Sequence, residues 1–360
     1  MRAFSIIHQT QCFVNSSPKP TIQEGPVERE VNELGVTASG MSLRKQEHDS
    51  GIRDNVKASV CIIAYNVEAF IAQALDTALA QRTNFAFEVV VGEDLSQDST
   101  REIIADYHRR YPNLMRPIFR EKNLGMVRNF AETVRACRGR YIAMLDGDDF
   151  WNSPLKLQKQ VDFLDSHPEC SGCYHNVNIL YEADPGLTRR YYSRPPKPFL
   201  YLKDLVGANP ICSGSMVFRA GLFKDFPEWY YTMLMQDWPL YLLNAQFGPA
   251  GYIDEVLSTY RIHPQSDWAK LDRIDTLERR IFAVQKMHAA LNLSYDDIVQ
   301  KEIANLQYKI AKQLFAQKDY EGARRHSRDA MRKLAGFRYL KALRLYVQSG
   351  LLSRKQPANT

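Results

Sequence analysis

No run of apolar residues in this 360-residue chain approaches the roughly 18 needed to cross a bilayer as a helix. The opening residues, MRAFSIIHQTQCFVNSS, hold too short an apolar core for a secretory signal. Cysteine is sparse, and the six (Cys12, Cys61, Cys137, Cys170, Cys173 and Cys212) are scattered, several within apolar strand-like runs. That pattern argues against a disulfide framework and for reduced thiols in a cytoplasmic protein. The lone CxxC, Cys170-Ser-Gly-Cys173, has no second pair of ligands nearby, and on a strand its two ends face opposite sides. Core packing is therefore expected there over a zinc or redox site. Charge of one sign is not in large excess: 47 basic against 41 acidic residues leave +6. That is too little to specify nucleic acid, and it suits a polyanionic substrate or an anionic membrane surface. With 45% hydrophobic and 24% charged residues, the chain has material for one large domain or two smaller ones.

Residues 1–55 are polar and aperiodic, and are expected to form a disordered or loosely packed extension. From Ala58 the pattern alternates. Apolar runs at Ser59 to Tyr65, Phe87 to Gly92, Leu114 to Phe119 and Tyr141 to Leu145 predict strands. Amphipathic stretches at Val67 to Gln81, Asp98 to Arg110, Met126 to Cys137 and Pro154 to Ser166 predict the helices between them. Four such repeats imply an α/β fold with a mostly parallel sheet covered on both faces. Ligands of such sheets bind beyond the carboxyl ends of the strands, where Asn66, Asp94 and Asp146 lie. After Cys170, strand-like pieces (Cys173 to Tyr181, Ser213 to Arg219, Gly251 to Val256) mix with loops, among them the basic, aromatic, Pro-rich Arg189 to Tyr201. From Leu271 to about Leu352 the chain is helical in pattern, and Tyr308 to Leu334 predicts a helical hairpin. The expected organisation is 56–268 as the main domain (56–152 and 153–268 as its halves), 269–352 as a helical region, and 353–360 as a basic tail.

The stretch YIAMLDGDDFWNSP ends an apolar strand in three carboxylates, Asp146, Asp148 and Asp149. Acids at i and i+2 after a strand point the same way, and their repulsion is costly unless a cation sits among them. Oxygen ligands select a hard ion, Mg²⁺ or Mn²⁺, which takes one or two protein carboxylates and fills the rest of its sphere from water and phosphate. The alternative is an acidic turn that caps the next helix through Ser153.

Taken together, SVCIIAYN, VVVGEDLSQDSTREII, NLGMVRNF, YIAMLDGDDFW, MQDWPLYL and EVLSTYRIHP resemble, in order and spacing, the inverting family 2 glycosyltransferases of the bacterial cell-surface polysaccharide type. The resemblance covers about Ser59 to Trp268. It implies the GT-A fold, a Rossmann-like sheet with helices on both faces. It implies transfer of a sugar from a nucleotide sugar, typically uridine-linked, to a hydroxyl of a glycan or lipid-linked acceptor, with Mg²⁺ or Mn²⁺. Asp149 matches the acid that most directly holds the metal, Asp148 its neighbour facing the sugar or ribose, and Asp146 the first acid of the D-x-D pattern. Which of the three touches the ion stays open. The expected metal ligands are Asp148, Asp149 and His263. The expected nucleotide side comprises Ala64, Tyr65, Asn66, Glu93, Asp94, Arg128, Asp146 and Asp148, with Asp94 at the base edge and Arg128 at phosphate. Asp237 aligns with the catalytic base, next to Gln236 where the family carries glutamate.

Each has a plainer alternative: a core position for Tyr65, a helix cap for Asp94, a surface arginine at 128, a helix-start acid at 237, a structural His263. Trp151 either walls the sugar site or packs in the core, and His175-Asn176 either lines the acceptor side or supports the sheet. The C-terminal FRYLKALRLYVQSGLLSRK, with interleaved Arg338, Lys341 and Arg344, either lies on an anionic membrane or packs as a last helix. Rival functions are a sugar-nucleotide nucleotidyltransferase, a glycoside hydrolase and a non-catalytic sugar-binding scaffold. The first is disfavoured by YNVEAF where a Gly-rich phosphate loop would stand, the second by the strand-end layout.

Overall fold

The computed structural model describes residues 56–184, 186–266, 271–292 and 294–353. The extension 1–55, Cys12, Trp268 and the tail from residue 354 lie outside the described residues. In the first half β1 (Val56–Ala64), α1 (Ile71–Leu79), β2 (Ala86–Glu93), α2 (Thr100–Arg110), β3 (Met115–Phe119), α3 (Met126–Ala136) and β4 (Tyr141–Asp146) alternate. The second half adds β5 (Phe150–Trp151), α4 (Lys156–Ser166), β6 (Gly172–Tyr181), β7 (Thr188–Arg190), β8 (Phe199–Leu200) and α5 (Leu202–Leu205). Then follow β9 (Val217–Arg219), a 3-10 turn at Glu228–Thr232, α6 (Asp237–Ala245) and β10 (Ala250–Ile262). Four helices complete the described chain: α7 (Arg273–Leu291), α8 (Asp296–Ala316), α9 (Tyr320–Met331) and α10 (Gly336–Ser353).

All strands join one sheet, whose main path runs β3-β2-β1-β4-β9-β6-β10-β5. β3, β2, β1 and β4 are mutually parallel, as are β6 and β10, while β9 runs antiparallel between β4 and β6. The expected mostly parallel sheet is therefore present, with the antiparallel β9 at its centre. β1 carries Val60, Cys61 and Ile62 at 1% exposure or less, because both faces of this strand are covered. Alternation splits its neighbours between two cores. Val60, Ile62 and Ala64 pack with α1 and α4, and Cys61 packs with α3 and α6.

The close approach of α3 to β2 depends on Gly92. A Cβ there would lie 2.0 Å from Thr133 Oγ1, and Asn129 Nδ2 donates to the Gly92 carbonyl at 2.8 Å. The five described cysteines are free thiols. Cys170 precedes β6 rather than lying on it, so strand alternation does not separate it from Cys173, and both pack in the α1/α4-side core. α7 and the start of α8 share the α6-side core through Val284, Met287 and Val299. The expected hairpin is α8–α9, with Asp319 Oδ1 accepting from Gly322 N at 2.9 Å to start α9. The predicted loop from Arg189 to Tyr201 contains short strand β8 and begins in β7, both laid on longer strands.

Lys156 is fully buried on α4. Its Nζ sits 4.0 Å from the centroid of the Trp151 ring and finds no hydrogen-bond acceptor among the described residues. Burial pulls its amine down to about 7. Between that value and the ordinary lysine range, the unfolded chain holds a proton that the native state lacks, so stability rises with pH across this window. Lys156→Met is expected to stabilise the protein at pH 7.5 by about 2–4 kcal/mol and to flatten its stability between pH 7 and 10. Thermal melts across that range check this, and a destabilised variant would contradict it.

Candidate active site

β4 delivers Asp146 at its last position, and the chain then turns through Gly147. The Gly147 N–H donates to the Ile63 carbonyl at 3.0 Å, and a Cβ at Gly147 would lie 2.9 Å from that same oxygen. The turn is thus pinned against the end of β1, and it sends the three carboxylates to different places.

Asp146 faces the loop before β9 and the start of α6. Its carboxylate accepts from Ser213 Oγ and from Gln236 Nε2, the latter at 3.2 Å. Burial first, and then the charges of Asp148 and Asp237, push its carboxyl up to about 7. Asp148 Oδ2 lies 3.0 Å from His263 Nε2, and His263 Nδ1 faces Gln265 Oε1 at 3.1 Å. Two acceptors flank the ring, so the bond to Asp148 raises the imidazole's pKa against the effect of its burial. Asp149 is 1% exposed and turned inward. Its Oδ1 accepts from Arg261 N at 2.8 Å, and its Oδ2 is buried without a partner among the described residues. Burial, then the two neighbouring acids, hold its carboxyl well above the usual range.

Next to Gln236, which reaches Asp146, Asp237 begins α6, where the helix dipole favours a carboxylate. Asn209 Nδ2 donates to Asp237 Oδ2 at 2.9 Å, and burial raises the carboxyl's pKa. Tyr241, one turn further along the same face, buries a hydroxyl with no hydrogen-bond partner among the described residues. The thiol of Cys212 is raised by burial and by the charges of Asp149, Asp237 and Asp146, which places it at the same cluster.

The expected metal set of Asp148, Asp149 and His263 lies together around the acidic turn and the end of β10. Among the described residues no three His, Cys, Asp or Glu side chains converge to hold an ion. Asp149 is drawn away by the Arg261 backbone, whereas Asp148 and His263 meet. A carboxylate beside an imidazole, with nothing else from the protein, fits an ion completed by phosphate and water rather than a closed protein cage. Gln265 facing Nδ1 would leave Nε2 as the ligand atom, so a proton and a metal compete for one position.

Of the residues expected on the nucleotide side, Ala64, Tyr65, Asn66, Glu93, Asp94 and Arg128 sit at the ends of β1 and β2 and the start of α3. Ala64 ends β1, and its carbonyl accepts from Asp94 N at 3.0 Å. Tyr65 lies beyond the strand, 45% exposed, and so is not a core residue. Asn66 adopts φ 52°, donates its N–H to Ser96 Oγ at 3.0 Å and accepts from Gln97 N at 2.8 Å, clipping the loop after β2 to the end of β1. Glu93, expected at the nucleotide, is instead fully buried and spent on Arg101 Nε at 2.7 Å and Ser96 N at 2.6 Å. Asp94, expected at a base edge, is 2% exposed, and its two oxygens accept from Leu124 N at 2.8 Å and Gly125 N at 2.9 Å. These bonds tie β2 to the entry of α3. Arg128, expected at phosphate, is exposed and lies 4.6 Å from the Tyr231 ring centroid.

Trp151 packs in the core at 2% exposure. His175 is buried, and Asn176 holds the backbone of Tyr192 through Nδ2 to the carbonyl at 2.9 Å and Oδ1 from N at 3.0 Å, so this pair supports the sheet. Arg261, within the quoted YRIHP, is spent on the acidic turn. Its Nε donates to the Asp148 carbonyl at 2.7 Å and its guanidinium pairs with Glu182. Sequence reasoning missed Asn209, Ser213 and Tyr241, which reach the site from a loop and a helix with no strand-end signal of their own.

An α/β sheet with acids at its mouth defines the class, and the comparisons define the family. The model described as glycosyl transferase family 2 matches residues 59–226. An uncharacterized protein of Mycobacterium tuberculosis (strain ATCC 25618 / H37Rv) is 38% identical over 211 residues, which are 58% of this chain and 60% of that protein's length. TuaG of Bacillus subtilis (strain 168), named provisionally as a teichuronic acid biosynthesis glycosyltransferase, is 30% identical over 205 residues, covering 57% of this chain and 78% of TuaG. Among solved structures, residues 1–349 of S. aureus TarS align with a TM-score of 0.55 at 17% identity, over 85% of this chain and 93% of that chain. TarS has also been solved with UDP-GlcNAc and with UDP. The mannosyltransferase PcManGT from Pyrobaculum calidifontis, in complex with GDP-Man and Mn²⁺, aligns with a TM-score of 0.52 at 17% identity, over 83% of this chain and 81% of that chain. The chain belongs to glycosyl transferase family 2, and its described fold is of the GT-A type.

Because the folded carboxyl of Asp146 sits near 7 and the free one near 4, the native state binds an extra proton between these values. Stability without a divalent ion therefore falls as pH rises from about 4 to about 7. Asp146→Asn is expected to raise stability at pH 7.5 in metal-free buffer by about 1–3 kcal/mol and to remove much of that slope. Thermal melts with a chelator present check this, and a variant that melts lower at pH 7.5 would contradict it.

Proposed function

We propose that this chain transfers a glycosyl group from a nucleoside diphosphate sugar, of the uridine type, to a hydroxyl of a glycan or lipid-linked acceptor, with inversion at the anomeric carbon. The observation that carries this reading is the gathering of Asp146, the Asp148–His263 pair and Asp237 at the strand ends, where the charges of Asp148 and Asp237 both act on Asp146. The family supports glycosyl transfer, and TarS, solved with UDP-GlcNAc and with UDP, gives the uridine-type donor a precedent on this fold. TuaG supports a cell-surface polysaccharide as the product class.

In this reading the diphosphate lies beyond β1 and β4. Tyr65, the exposed aromatic at the end of β1, is the wall for the base, and the loop clipped by Asn66 sets that wall's position. Asp94 contributes indirectly, by holding the entry of α3. Asp148 and His263 would hold the divalent ion, Mg²⁺ or Mn²⁺, with Asp149 shaping the turn behind them. When bound, the ion would supply positive charge against the departing diphosphate. Asp146, fixed by Ser213 and Gln236, faces the donor sugar or its ribose.

Asp237 accepts the proton of the acceptor hydroxyl as that oxygen attacks from the face opposite the diphosphate. Asn209 holds one of its oxygens in place, and burial makes its carboxylate a better base than a solvated one. A single displacement needs no covalent intermediate, so no nucleophilic side chain is required.

With Mn²⁺ present, uridine diphosphate sugars are expected to raise the melting temperature in a panel of nucleotide sugars. No shift with any of them would contradict the reading. For the donor that responds, Asp237→Asn is expected to bind it within about threefold of wild type while slowing its hydrolysis about a hundredfold or more. Hydrolysis needs no identified acceptor, and unchanged turnover in the variant would remove Asp237 from the role of base.

A further inference from the structure

The outward face of α10 takes no part in the site. This 18-residue helix contains Arg338, Lys341 and Arg344 and no acidic residue. Its inner face carries Ala342, Leu345 and Ser349, all buried, with Ala342 packed beside Ala304 and Ala330 of the α8–α9 hairpin. The opposite face exposes Phe337 at 71%, Leu340 at 59%, Val347 at 49% and Leu351 at 58%. With Arg344 these positions step by three and four residues, so they form one stripe along a helix about 27 Å long.

We propose that this stripe docks on an anionic lipid surface, with α10 lying in the plane of the interface. Charge decides between the two candidate occupants. A second copy would set Arg338, Lys341 and Arg344 against their own kind, with no carboxylate on the helix to answer them. A negatively charged bilayer answers Lys341 and Arg344, the basic groups at and within the stripe. The basic groups are also placed for it. Lys341 Nζ lies 4.4 Å from the Phe337 ring centroid at the border of the stripe, whereas Arg338 turns toward α8 and donates to Asn305 Oδ1 at 2.8 Å. Arg344 lies within the stripe and reaches the headgroup level by extending its stem. Among the described residues no helix is long and apolar enough to cross a membrane. The sequence continues with Arg354 and Lys355, which add to the positive charge.

Sedimentation of the full chain with lipid vesicles tests this. Binding is expected on vesicles of mixed phosphatidylcholine and phosphatidylglycerol, about tenfold weaker or less on phosphatidylcholine alone, and weakened by added salt. The double variant Leu340→Asp with Val347→Asp is expected to lose binding about tenfold or more, with an unchanged melting temperature because both side chains are exposed. Lys341→Glu with Arg344→Glu keeps the apolar stripe and is expected to lose the preference for anionic vesicles. Three results would overturn the proposal: no binding to anionic vesicles, equal binding to neutral ones, or a solution dimer that the Leu340 and Val347 substitutions dissolve.

Discussion

Four carboxylates gather at the end of the sheet, and the surrounding structure is organised around their repulsion. Two unit charges 4 Å apart in a partly buried setting repel by about 4 kcal/mol, more than one ordinary hydrogen bond returns. The fold therefore distributes the acids and gives each its own donors. Asp146 takes Ser213 and Gln236, Asp148 takes His263, Asp149 takes the Arg261 N–H, and Asp237 takes Asn209. Burial outweighs these donors at Asp146, Asp149 and Asp237, whose carboxyls all stay above the usual range. The result is a cluster of buried carboxyls that hold their protons more tightly than free ones, and that a cation would relieve.

The donors come from segments far apart in the chain: the loop before β9, the start of α6, and the end of β10. Only the packed sheet brings them together, which gives the antiparallel β9 a functional consequence. It seats the loop carrying Asn209 and Ser213 over the end of β4. Arg261 does similar work from below, bridging the Asp148 carbonyl, Glu182 and Gln73 while its own N–H holds Asp149. Gln236 is chemically apt beside Asp146, because its amide donates where a glutamate would add a fifth charge.

Much of the fold was legible because its signals are local. Apolar strands and amphipathic helices declare themselves within ten residues, and the alternation of the first half follows directly from them. The acidic turn was equally plain, and so was its place at a strand end. What could not be read was orientation. Asp149 turns inward because of a backbone N–H 112 residues away. Glu93 and Asp94 are adjacent acids of the same kind, yet one meets Arg101 and the other the backbone at the α3 entry. Arg128 follows Tyr231. Asn209 and Ser213 lie in a stretch without periodicity, where only the closed fold shows their purpose.

The central claim is that Asp148 and His263 form half of a cation site whose other half is the diphosphate. Calorimetric titration of uridine diphosphate into the metal-free protein, and again with Mn²⁺ present, tests it most directly. The account predicts binding about tenfold tighter or more with Mn²⁺, with that gain abolished in His263→Ala. Equal affinity with and without the ion, in a protein that still binds the nucleotide, would contradict it.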